Sequence, residues 1–410
     1  MSQPEVQLAR EGATNRRSKA ARALILGVLK QLHGAGLTLR EAGENSLFFG
    51  DPTAPLQGEI EVHNLRAYRR VLLGGSIAAG ESYIDGDWTT PNLTTVLQLL
   101  AENLKLVDKL EARLSWVTAP VNSLIHFFRR NSPSQARKNI SAHYDLGNDF
   151  YQGFLDEKML YSSAWYQEPQ MTLEQAQEAK MRRLCDQLHL HAGDHLLEIG
   201  TGWGAMAEFA AREYGCQVTT TTISREQYDY ACERIEKAGL TGRVTVLFED
   251  YRALRGQFDK LVSIEMIEAV GKRYLKTFFK RCNALLKPNG RMAIQAITIA
   301  DQRYASYSRN VDFIQRYVFP GGFLPSITAM NDTMTRCTGL VVRDLFDIGF
   351  DYARTLHEWR ERVQRYWNAQ LDGAQDERFR RLWLFYLCYC EAGFRARTIS
   401  TVQLIAERRA

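Results

Sequence analysis

The sequence predicts an α/β protein whose C-terminal part is built on a doubly wound parallel sheet. Five β-compatible runs alternate there with helical patterns, at Leu196–Gly200, Val218–Ile223, Val244–Phe248, Asp259–Ile267 and Arg291–Ile299. Strands that alternate with helices are typical of a parallel sheet covered on both faces. The first run leads into glycines spaced G-x-G-x-G and then into the helical pattern AMAEFAAREYG. This order predicts a Rossmann-like strand, tight turn and crossover helix.

Further elements surround this sheet. Helices are predicted at Thr172–Leu188, Arg225–Ala238 and Phe379–Glu391, and a final strand at Ser400–Ile405. The segment Asp301–Pro325 is too long and too aromatic for a simple connection. It is predicted to form helical lid insertions over a substrate.

The N-terminal part has a different pattern. A helix at Ala21–His33 precedes short strand-like pieces, LTLREA and GEIEVHN, and Thr94–Trp116 reads as one long helix. The glycine-rich stretch Val71–Trp88 is interpreted as packed loops. We therefore expect a flexible N-terminus at 1–20, a smaller α+β domain at 21–118, a linker at 119–138 and the main domain at 139–410.

The linker region contains a basic, amphipathic segment. Residues Val121–Lys138 include LIHFFRRN and SQARKN, in which large apolar side chains lie beside arginines and a lysine. Such a segment can lie on an anionic bilayer surface, or it can pack on its own domain, and the sequence leaves both interpretations open. The basic cluster Arg16–Arg22 precedes a short apolar run without a cleavage site. We expect a cytoplasmic protein that is peripherally associated with the inner face of the membrane.

Composition excludes several classes of protein. The 410 residues are 45% hydrophobic and 24% charged with a net charge of +5, which indicates a packed core and no strongly basic groove for nucleic acid. The seven cysteines form no C-x-x-C pair, so neither a metal site nor a disulfide framework is predicted. The sequence leaves the oligomeric state open, with a homodimer as one assembly.

The glycine turn indicates which ligand the sheet binds. A nicotinamide site usually has G-x-G-x-x-G and an acid that follows the next strand, whereas here that strand ends at Thr222. The acids lie instead at Glu198, before the glycines, and at Asp250, after the third strand. This arrangement favours S-adenosylmethionine, with its amino acid part near the glycines and its adenine near Asp250. A glycine-rich turn without any ligand is the alternative.

Ligands of such sheets bind outside the carboxyl ends of the strands. The residues that follow these strand ends are the first candidates for a site, namely Gly200, Gly202, Gly204, Thr222, Asp250, Glu265, Glu268 and Gln295.

Many stretches of the chain resemble the cyclopropane fatty acid synthase family of S-adenosylmethionine-dependent enzymes. They run in the family's order from about residue 60 to the end: GESYIDGDW, HYDLGNDFY, YSSAWY, EIGTGWG, TTISREQ, EDYR, SIEMIEAVG, FPGGFLPS, DYARTL and GFRAR. The resemblance implies a Rossmann-like methyltransferase domain. It also implies cofactor contacts from Tyr144, Tyr161, Ser162, Gly200, Gly202, Thr222, Gln227 and Asp250.

The reaction that the resemblance implies is alkylation of a cis double bond in a phospholipid acyl chain. The double bond takes the methyl group of the sulfonium, a carbocation forms, and a base removes a proton so that a cyclopropane closes. In the family a bicarbonate ion is held near this carbon. Its implied ligands here are Ser163, Glu268, Gln295, the backbone at Ile297, and Tyr352.

Three positions depart from the family's pattern. The usual cysteine is Ser163, the usual histidine is Gln295, and the usual Glu-His pair is Glu268-Ala269. Glutamine keeps a donor and an acceptor but cannot titrate. The anion is therefore either held differently, or Glu268 itself is the base. We expect cyclopropanation, with a methyl- or methylene-branched product as the alternative. A small-molecule or nucleic-acid methyltransferase, and a lipid-binding protein with a relic cofactor turn, are more distant alternatives.

Overall fold

The computed structural model describes residues 17–106, 108, 147–369 and 376–410. Most of the predicted flexible N-terminus, the whole linker at 119–138 and Tyr144 lie outside the described residues. Two compact units are present. The first comprises Met1–Ile125, Asn310–Phe313 and Gln370–Thr398, and the second comprises the remaining chain.

The first unit is an α+β structure. Its four strands are β1 (Gly36–Glu41), β2 (Leu47–Gly50), β3 (Gln57–Val62) and β4 (Trp88–Thr89), in the order β2-β1-β3-β4. Strands β1 and β3 are parallel, and the other pairs are antiparallel. Helices span 17–29, Arg66–Ile84 and Leu93–Glu102.

Two expectations for this unit were wrong. The stretch interpreted as packed loops lies mostly in helix Arg66–Ile84, which kinks at Gly75, where φ is +59°. A Cβ atom at Gly80 would come within 2.7 Å of the Phe313 ring, so this glycine permits close packing within a helix. The predicted long helix that begins at Thr94 is interrupted at Asn103, which has φ −104° and ψ 30°.

Helix Glu377–Arg395 groups with the first unit, whereas the sequence-based boundaries placed it in the main domain. Its buried Glu391 accepts hydrogen bonds from Thr94 Oγ1 at 3.1 Å and from Arg395. Arg381 donates to the carbonyl oxygens of Tyr83 and Trp88. These contacts join residues nearly 300 positions apart, which sequence periodicity does not report. The domain boundaries themselves stay a prediction.

The second unit contains the predicted doubly wound sheet, which is confirmed. Its strands are β5 (His195–Ile199), β6 (Gln217–Thr222), β7 (Val244–Phe248), β8 (Phe258–Ile264), β9 (Leu286–Ile299), β10 (Leu340–Asp347) and β11 (Ile399–Arg408). They run in the order β10-β11-β9-β8-β5-β6-β7. The five strands from β5 to β9 pair in parallel, and β11 pairs antiparallel with both β9 and β10.

Each face of this sheet carries its own hydrophobic core, as alternation along a strand requires. Leu197, Leu261 and Ile294 belong to one cluster, while their neighbours Leu196 and Val262 belong to the other. The helices of this unit span Asn148–Gln152, Leu173–Gln187, Ala205–Glu213, Arg225–Lys237, Leu275–Leu285, Asp301–Tyr307, Phe313–Tyr317, Ile327–Cys337 and Gly349–Ala369. The segment predicted as a lid thus carries two short helices. Its role stays a prediction.

Two capped helices follow their sequence signals. Thr172 accepts from the backbone N–H of Gln175, whose side chain accepts from the Thr172 N–H, so a capping box begins the helix Leu173–Gln187. Ser224 caps Arg225–Lys237 through a single bond, which its side chain accepts from the N–H of Gln227. Among the described residues, no helix is long and apolar enough to cross a membrane.

Candidate functional site

The glycine turn joins β5 to helix Ala205–Glu213. The backbone φ angles of Gly200, Gly202 and Gly204 are +105°, +52° and +88°, values that residues with a side chain rarely adopt. The N–H groups of Gly200 and Thr201 both donate to the Thr221 carbonyl at 3.1 Å, which fixes the turn against β6. A Cβ atom at Gly202 would have no protein atom within 4 Å. The backbone here is therefore open to a ligand, as a cradle for S-adenosylmethionine requires.

The end of β6 carries the next two predicted cofactor residues. Thr222 donates its hydroxyl to Oε1 of Gln227 at 2.9 Å, and the Ser224 N–H donates to Thr222 Oγ1 at 3.1 Å. Both Thr222 and Gln227 are buried. The structure thus brings them together at the first turn of helix Arg225–Lys237.

Asp250 follows β7, at the same edge of the sheet. Its carboxylate receives two side-chain hydrogen bonds from Arg252, at 2.8 and 2.6 Å, and one from the Arg252 backbone N–H at 2.9 Å. The carboxylate is therefore oriented by a guanidinium two residues later. An adenine amine at this position would share Asp250 with Arg252.

Glu198 lies inside the sheet before the glycines. Thr220 Oγ1 donates to its Oε2 atom at 2.6 Å, and Thr220 Oγ1 also lies 2.7 Å from Thr201 Oγ1. Burial raises the pKa of Glu198 to about 8. Through the Thr220 hydroxyl, this carboxyl group is linked to Thr201 in the glycine turn.

Tyr161, Ser162 and Ser163 lie on one short stretch. The Tyr161 ring lies 5.2 Å from Trp359 and 5.4 Å from Tyr151, centroid to centroid. Ser162 Oγ accepts a hydrogen bond from Lys180 Nζ at 2.7 Å. Tyr161 is thus part of an aromatic cluster, which lines the interior near the two serines: Tyr151, Phe154, Tyr161, Trp203, Phe319, Tyr352 and Trp359.

Lys180 is a fully buried ammonium that sequence analysis missed. Burial lowers its pKa to about 8, and the charges of Glu265 and Asp156 act in the opposite direction. The spacing on helix Leu173–Gln187 could have revealed it. Lys180 follows Ala176 by four residues and precedes Leu184 by four, and all three lie on the buried face.

Three predicted residues converge on the carboxylate of Glu265. Its Oε1 atom accepts from the Ser163 backbone N–H at 2.8 Å and from Gln295 Nε2 at 2.9 Å. Its Oε2 atom accepts from the Tyr352 hydroxyl at 2.8 Å. We call these four residues and Glu268 the carboxylate cluster: Ser163, Glu265, Glu268, Gln295 and Tyr352. Glu265 ranked among the strand-end candidates but was not assigned a role from the sequence.

Glu265 also has an unusual backbone. Its φ is +47°, in the left-handed region, which costs a non-glycine residue roughly 1–2 kcal/mol. This conformation ends β8 at Ile264, before the Ile267 end that the sequence predicted. Burial raises the pKa of the Glu265 carboxyl, whereas the bonds from Gln295, Ser163 and Tyr352 and the charge of Lys180 oppose that rise. Strain retained at such a position is a common feature of functional sites.

Glu268 lies beside Glu265 on the 3₁₀ turn Ile267–Ala269. Its Oε1 atom accepts from the Ile297 N–H at 2.5 Å, while within the described residues its buried Oε2 atom has no hydrogen-bond partner. Burial, followed by the charge of Glu265, raises the pKa of Glu268 to about 8. Both effects favour the protonated form of Glu268 next to the Glu265 carboxylate.

Gln295 is linked to a further glutamine. Its Nε2 atom donates to the Ser163 carbonyl at 3.1 Å as well as to Glu265, and its Oε1 atom accepts from Gln403 Nε2 at 3.0 Å. Gln403 lies on β11, directly opposite Gln295 on β9. The neighbouring strand thus fixes which way the Gln295 amide points.

A sequence model of one family, described as mycolic acid cyclopropane synthetase, matches residues 131–404. The chain belongs to this family. Members of the family and their relatives are S-adenosylmethionine-dependent transferases, and the chain is one. The matched residues include the glycine turn and the carboxylate cluster.

Two characterised relatives are similar over most of their length. The tuberculostearic acid methyltransferase UfaA1 of Mycobacterium tuberculosis is 39% identical over 94% of this chain and 91% of its own. The cyclopropane-fatty-acyl-phospholipid synthase of Escherichia coli K12 is 37% identical over 85% of this chain and 88% of its own.

Solved structures share a fold with about two thirds of this chain. The cyclopropane synthase MmaA2 of Mycobacterium tuberculosis is 29% identical with a TM-score of 0.62, over 66% of this chain and 98% of that chain. The mycolic acid cyclopropane synthase CmaA1, solved with SAH and CTAB, is 28% identical with a TM-score of 0.60, over the same shares. The family's cofactor is therefore the one that the glycine turn predicted.

Proposed function

We propose that this protein transfers a methylene group from S-adenosylmethionine to the cis double bond of an unsaturated phospholipid acyl chain, which becomes a cyclopropane. The observation that carries the proposal is the carboxylate cluster with its aromatic surroundings. A carbocation formed on an acyl chain needs both aromatic faces and a nearby anion, without water that would trap it. The named activities of the relatives support a lipid substrate.

The cofactor would be held along the ends of the parallel strands. Gly200, Gly202 and Gly204 would contact its amino acid part, Thr222 and Gln227 its ribose side, and Asp250 its adenine. Tyr161 and Ser162 would complete this site, together with Tyr144. When bound, S-adenosylmethionine supplies a methyl group on a positively charged sulfur, which is a very good leaving group.

The protein's own residues would then stabilise the carbocation and remove a proton from it. The aromatic cluster excludes water, and its ring faces stabilise positive charge on the acyl chain. A carboxylate of the cluster takes a proton from the transferred carbon, and the electron pair of that C–H bond closes the ring. Tyr352, Ser163 and Gln295 fix the position of the accepting group through the hydrogen bonds described above.

A branched product is the second candidate. The tuberculostearic acid methyltransferase is similar over 94% of this chain, and the usual histidine of the anion site is replaced by Gln295. If the cation loses its proton from a neighbouring carbon after a hydride shift, the chain keeps a double bond beside or at the new carbon. The position of the proton acceptor relative to the cation decides between these products.

Mass spectrometry of the lipid product tests the proposal. Purified protein is incubated with S-adenosylmethionine and vesicles of a cis-monounsaturated phospholipid, with Glu268→Gln as the matched control. A cyclopropane and a methylene branch have the same mass, so the product is then hydrogenated under mild conditions. A ring stays unchanged, whereas a methylene branch gains two hydrogen atoms. If the wild-type reaction yields neither a cyclopropane nor a branched product, the lipid proposal is refuted.

We also propose that the protein works at the inner face of the cytoplasmic membrane. An acyl chain inside a bilayer must be reached from its surface, and the basic segment Val121–Lys138, which lies outside the described residues, is the candidate contact. Co-sedimentation with vesicles should require anionic lipid and weaken as salt rises. Binding that is insensitive to both would contradict an electrostatic contact.

A further inference from the structure

The carboxylate cluster is not arranged to hold a bicarbonate ion. Every hydrogen-bond donor that the family resemblance assigns to that ion donates to a protein acceptor. The Ser163 N–H and the Tyr352 hydroxyl donate to Glu265, and the Ile297 N–H donates to Glu268. The Ser163 hydroxyl donates to the Ala164 carbonyl at 2.9 Å.

The side-chain amide of Gln295 also has all its hydrogen-bonding groups paired with protein atoms. Its two N–H groups serve the Ser163 carbonyl and Glu265 Oε1, and its oxygen accepts from Gln403. An additional anion would therefore lie beside two carboxyl groups, and the N–H groups and hydroxyls named above already donate to protein acceptors; a buried anion that lacks these donors is strongly unfavourable. The residues present do not fit bicarbonate.

The same donors do surround one anionic group of the chain itself. The Ser163 backbone, Gln295 and Tyr352, three of the implied bicarbonate ligands, all bond the carboxylate of Glu265. We propose that the Glu265 carboxylate takes the place of bicarbonate, as a built-in anion that makes the reaction independent of that ion. This inference rests on the proposed function, because it names a catalytic residue for that reaction.

The backbone of Glu265 supports this assignment. A left-handed φ of +47° directs the side chain of a strand-end residue toward Ser163 and Tyr352, which belong to other elements of the unit. A glutamate that served only packing would not need this conformation, which glycine adopts at lower cost. Lys180, buried nearby, adds a positive charge that favours the ionised carboxylate.

The proposed step balances without any further reactant. The π electrons of the double bond form a bond to the transferred carbon, and the bond from that carbon to sulfur breaks. A C–H bond of the cationic chain then breaks, its proton moves to the Glu265 carboxylate, and its electron pair closes the ring or forms the new double bond. Burial and the charge of Glu265 raise the pKa of neighbouring Glu268, so Glu268 keeps its own proton while Glu265 accepts one.

Carbonate depletion tests the inference. The full-length protein is assayed in carbonate-free buffer under argon, with and without millimolar bicarbonate, and both lipid product and released S-adenosylhomocysteine are measured. Wild-type turnover should change by less than about twofold when bicarbonate is added, while Glu265→Gln, which fills the same space without charge, should lose about 100-fold in both conditions. Glu391→Gln, which also neutralises a buried carboxylate but in the other unit, should keep the wild-type pattern.

A glycine variant separates the role of the anion from the role of the side chain. Glu265→Gly frees the three donors, opens space for a small anion and relieves the left-handed strain. Added bicarbonate should restore its turnover by at least about 10-fold and raise its melting temperature by about 2 °C, whereas the wild-type melting temperature should not respond. The melting temperature reports on anion binding independently of turnover.

Two results would overturn the inference while leaving the proposed function intact. One is a wild-type protein that makes lipid product only when bicarbonate is present. The other is a Glu265→Gln variant that turns over at the wild-type rate. A wild-type protein that makes no lipid product in any condition would instead refute the proposed function, and the inference with it.

Discussion

The hydroxyl of Tyr352 lies 2.8 Å from Oε2 of Glu265, and this bond ties helix Gly349–Ala369 to the end of β8. Tyr352 is buried, and its ring packs edge-on against Trp359 at a centroid distance of 6.0 Å. One residue thus contributes both a hydrogen bond to the carboxylate and a face to the aromatic cluster. A carbocation reaction requires a nearby anion and aromatic surroundings that exclude water, and Tyr352 contacts both.

Replacing Tyr352 by phenylalanine separates these two contributions. The ring stays, while Glu265 loses one of its three donors. Because a hydrogen bond to a charged group contributes about 1.5–3 kcal/mol, Tyr352→Phe should lower turnover roughly 10- to 100-fold. The melting-temperature rise caused by S-adenosylhomocysteine should stay unchanged, since the ring remains in place.

Tyr214→Phe is the matched control for this prediction. It removes a tyrosine–carboxylate bond of similar length, 2.6 Å to Asp186, from a half-buried position away from the cluster. Its turnover should match the wild type. Equal losses in the two variants would indicate a general effect on stability and remove Tyr352 from the site.

Glu268→Gln should lose most turnover while still binding the cofactor. The Ile297 N–H can still donate to the amide oxygen, but an amide can neither release nor accept a proton at this position. General acid–base groups typically contribute about 10²- to 10⁴-fold, so a loss within this range is expected. Turnover and S-adenosylhomocysteine binding are measured on the same preparation, and near-wild-type turnover would exclude Glu268 from the chemistry.

The parallel sheet and its glycine turn were predictable because their signals are local. Strand runs of β-compatible residues and G-x-G-x-G both lie within a few positions, and β5 through β9 follow them. The strand LVVRDLFD was not recognised, since β10 lies at the sheet edge with exposed side chains at alternate positions. Its partner β11 was predicted, but their pairing joins residues more than 50 positions apart.

The site was predictable in its members but not in its hydrogen bonding. Strand-end logic found Glu265, Glu268 and Gln295, and the resemblance added Ser163 and Tyr352. Which carboxylate receives the donors depends on one left-handed φ at Glu265, and the sequence SIEMIEAVG carries no signal of it. Lys180 was missed for a different reason, because a lysine on a charged helix is usually solvated.

Gly202→Ala tests the cofactor site at the glycine turn. A Cβ atom there meets no protein atom within 4 Å, so the substitution adds backbone strain but no clash with the protein. If the open space belongs to a ligand, S-adenosylhomocysteine affinity should fall by about 10-fold or more, since even a methyl group blocks close backbone approach. Isothermal titration calorimetry measures this affinity directly.

Gly239→Ala is the matched control, because Gly239 has a similar backbone and similar free space but lies outside the glycine turn. Its φ is +67°, and a Cβ atom there also meets nothing within 4 Å. Both variants should therefore lose about 1–2 kcal/mol of unfolding free energy, while only Gly202→Ala loses affinity. If both variants bind S-adenosylhomocysteine like the wild type, the cofactor does not approach the turn at Gly202.

The buried Glu198 should make stability depend on pH. Its pKa is raised from 4.5 to about 8 by burial, so between these values the folded protein keeps a proton that the unfolded chain has released. The free energy of unfolding therefore falls as pH rises through this window and levels off above it. Glu268 has a pKa raised to about 8 and contributes in the same direction. Glu198→Gln removes the Glu198 contribution and should make the decline shallower.

Denaturant unfolding at a series of pH values measures this slope. Glu233→Gln, an exposed change on helix Arg225–Lys237, should leave the wild-type slope unaltered. The amide of Glu198→Gln can still accept from Thr220 Oγ1, so the fold around the glycine turn should persist and the comparison is made between folded proteins. A slope for Glu198→Gln equal to that of the wild type would mean that Glu198 is ionised in the folded protein, and that Thr220 and the turn around it solvate its charge.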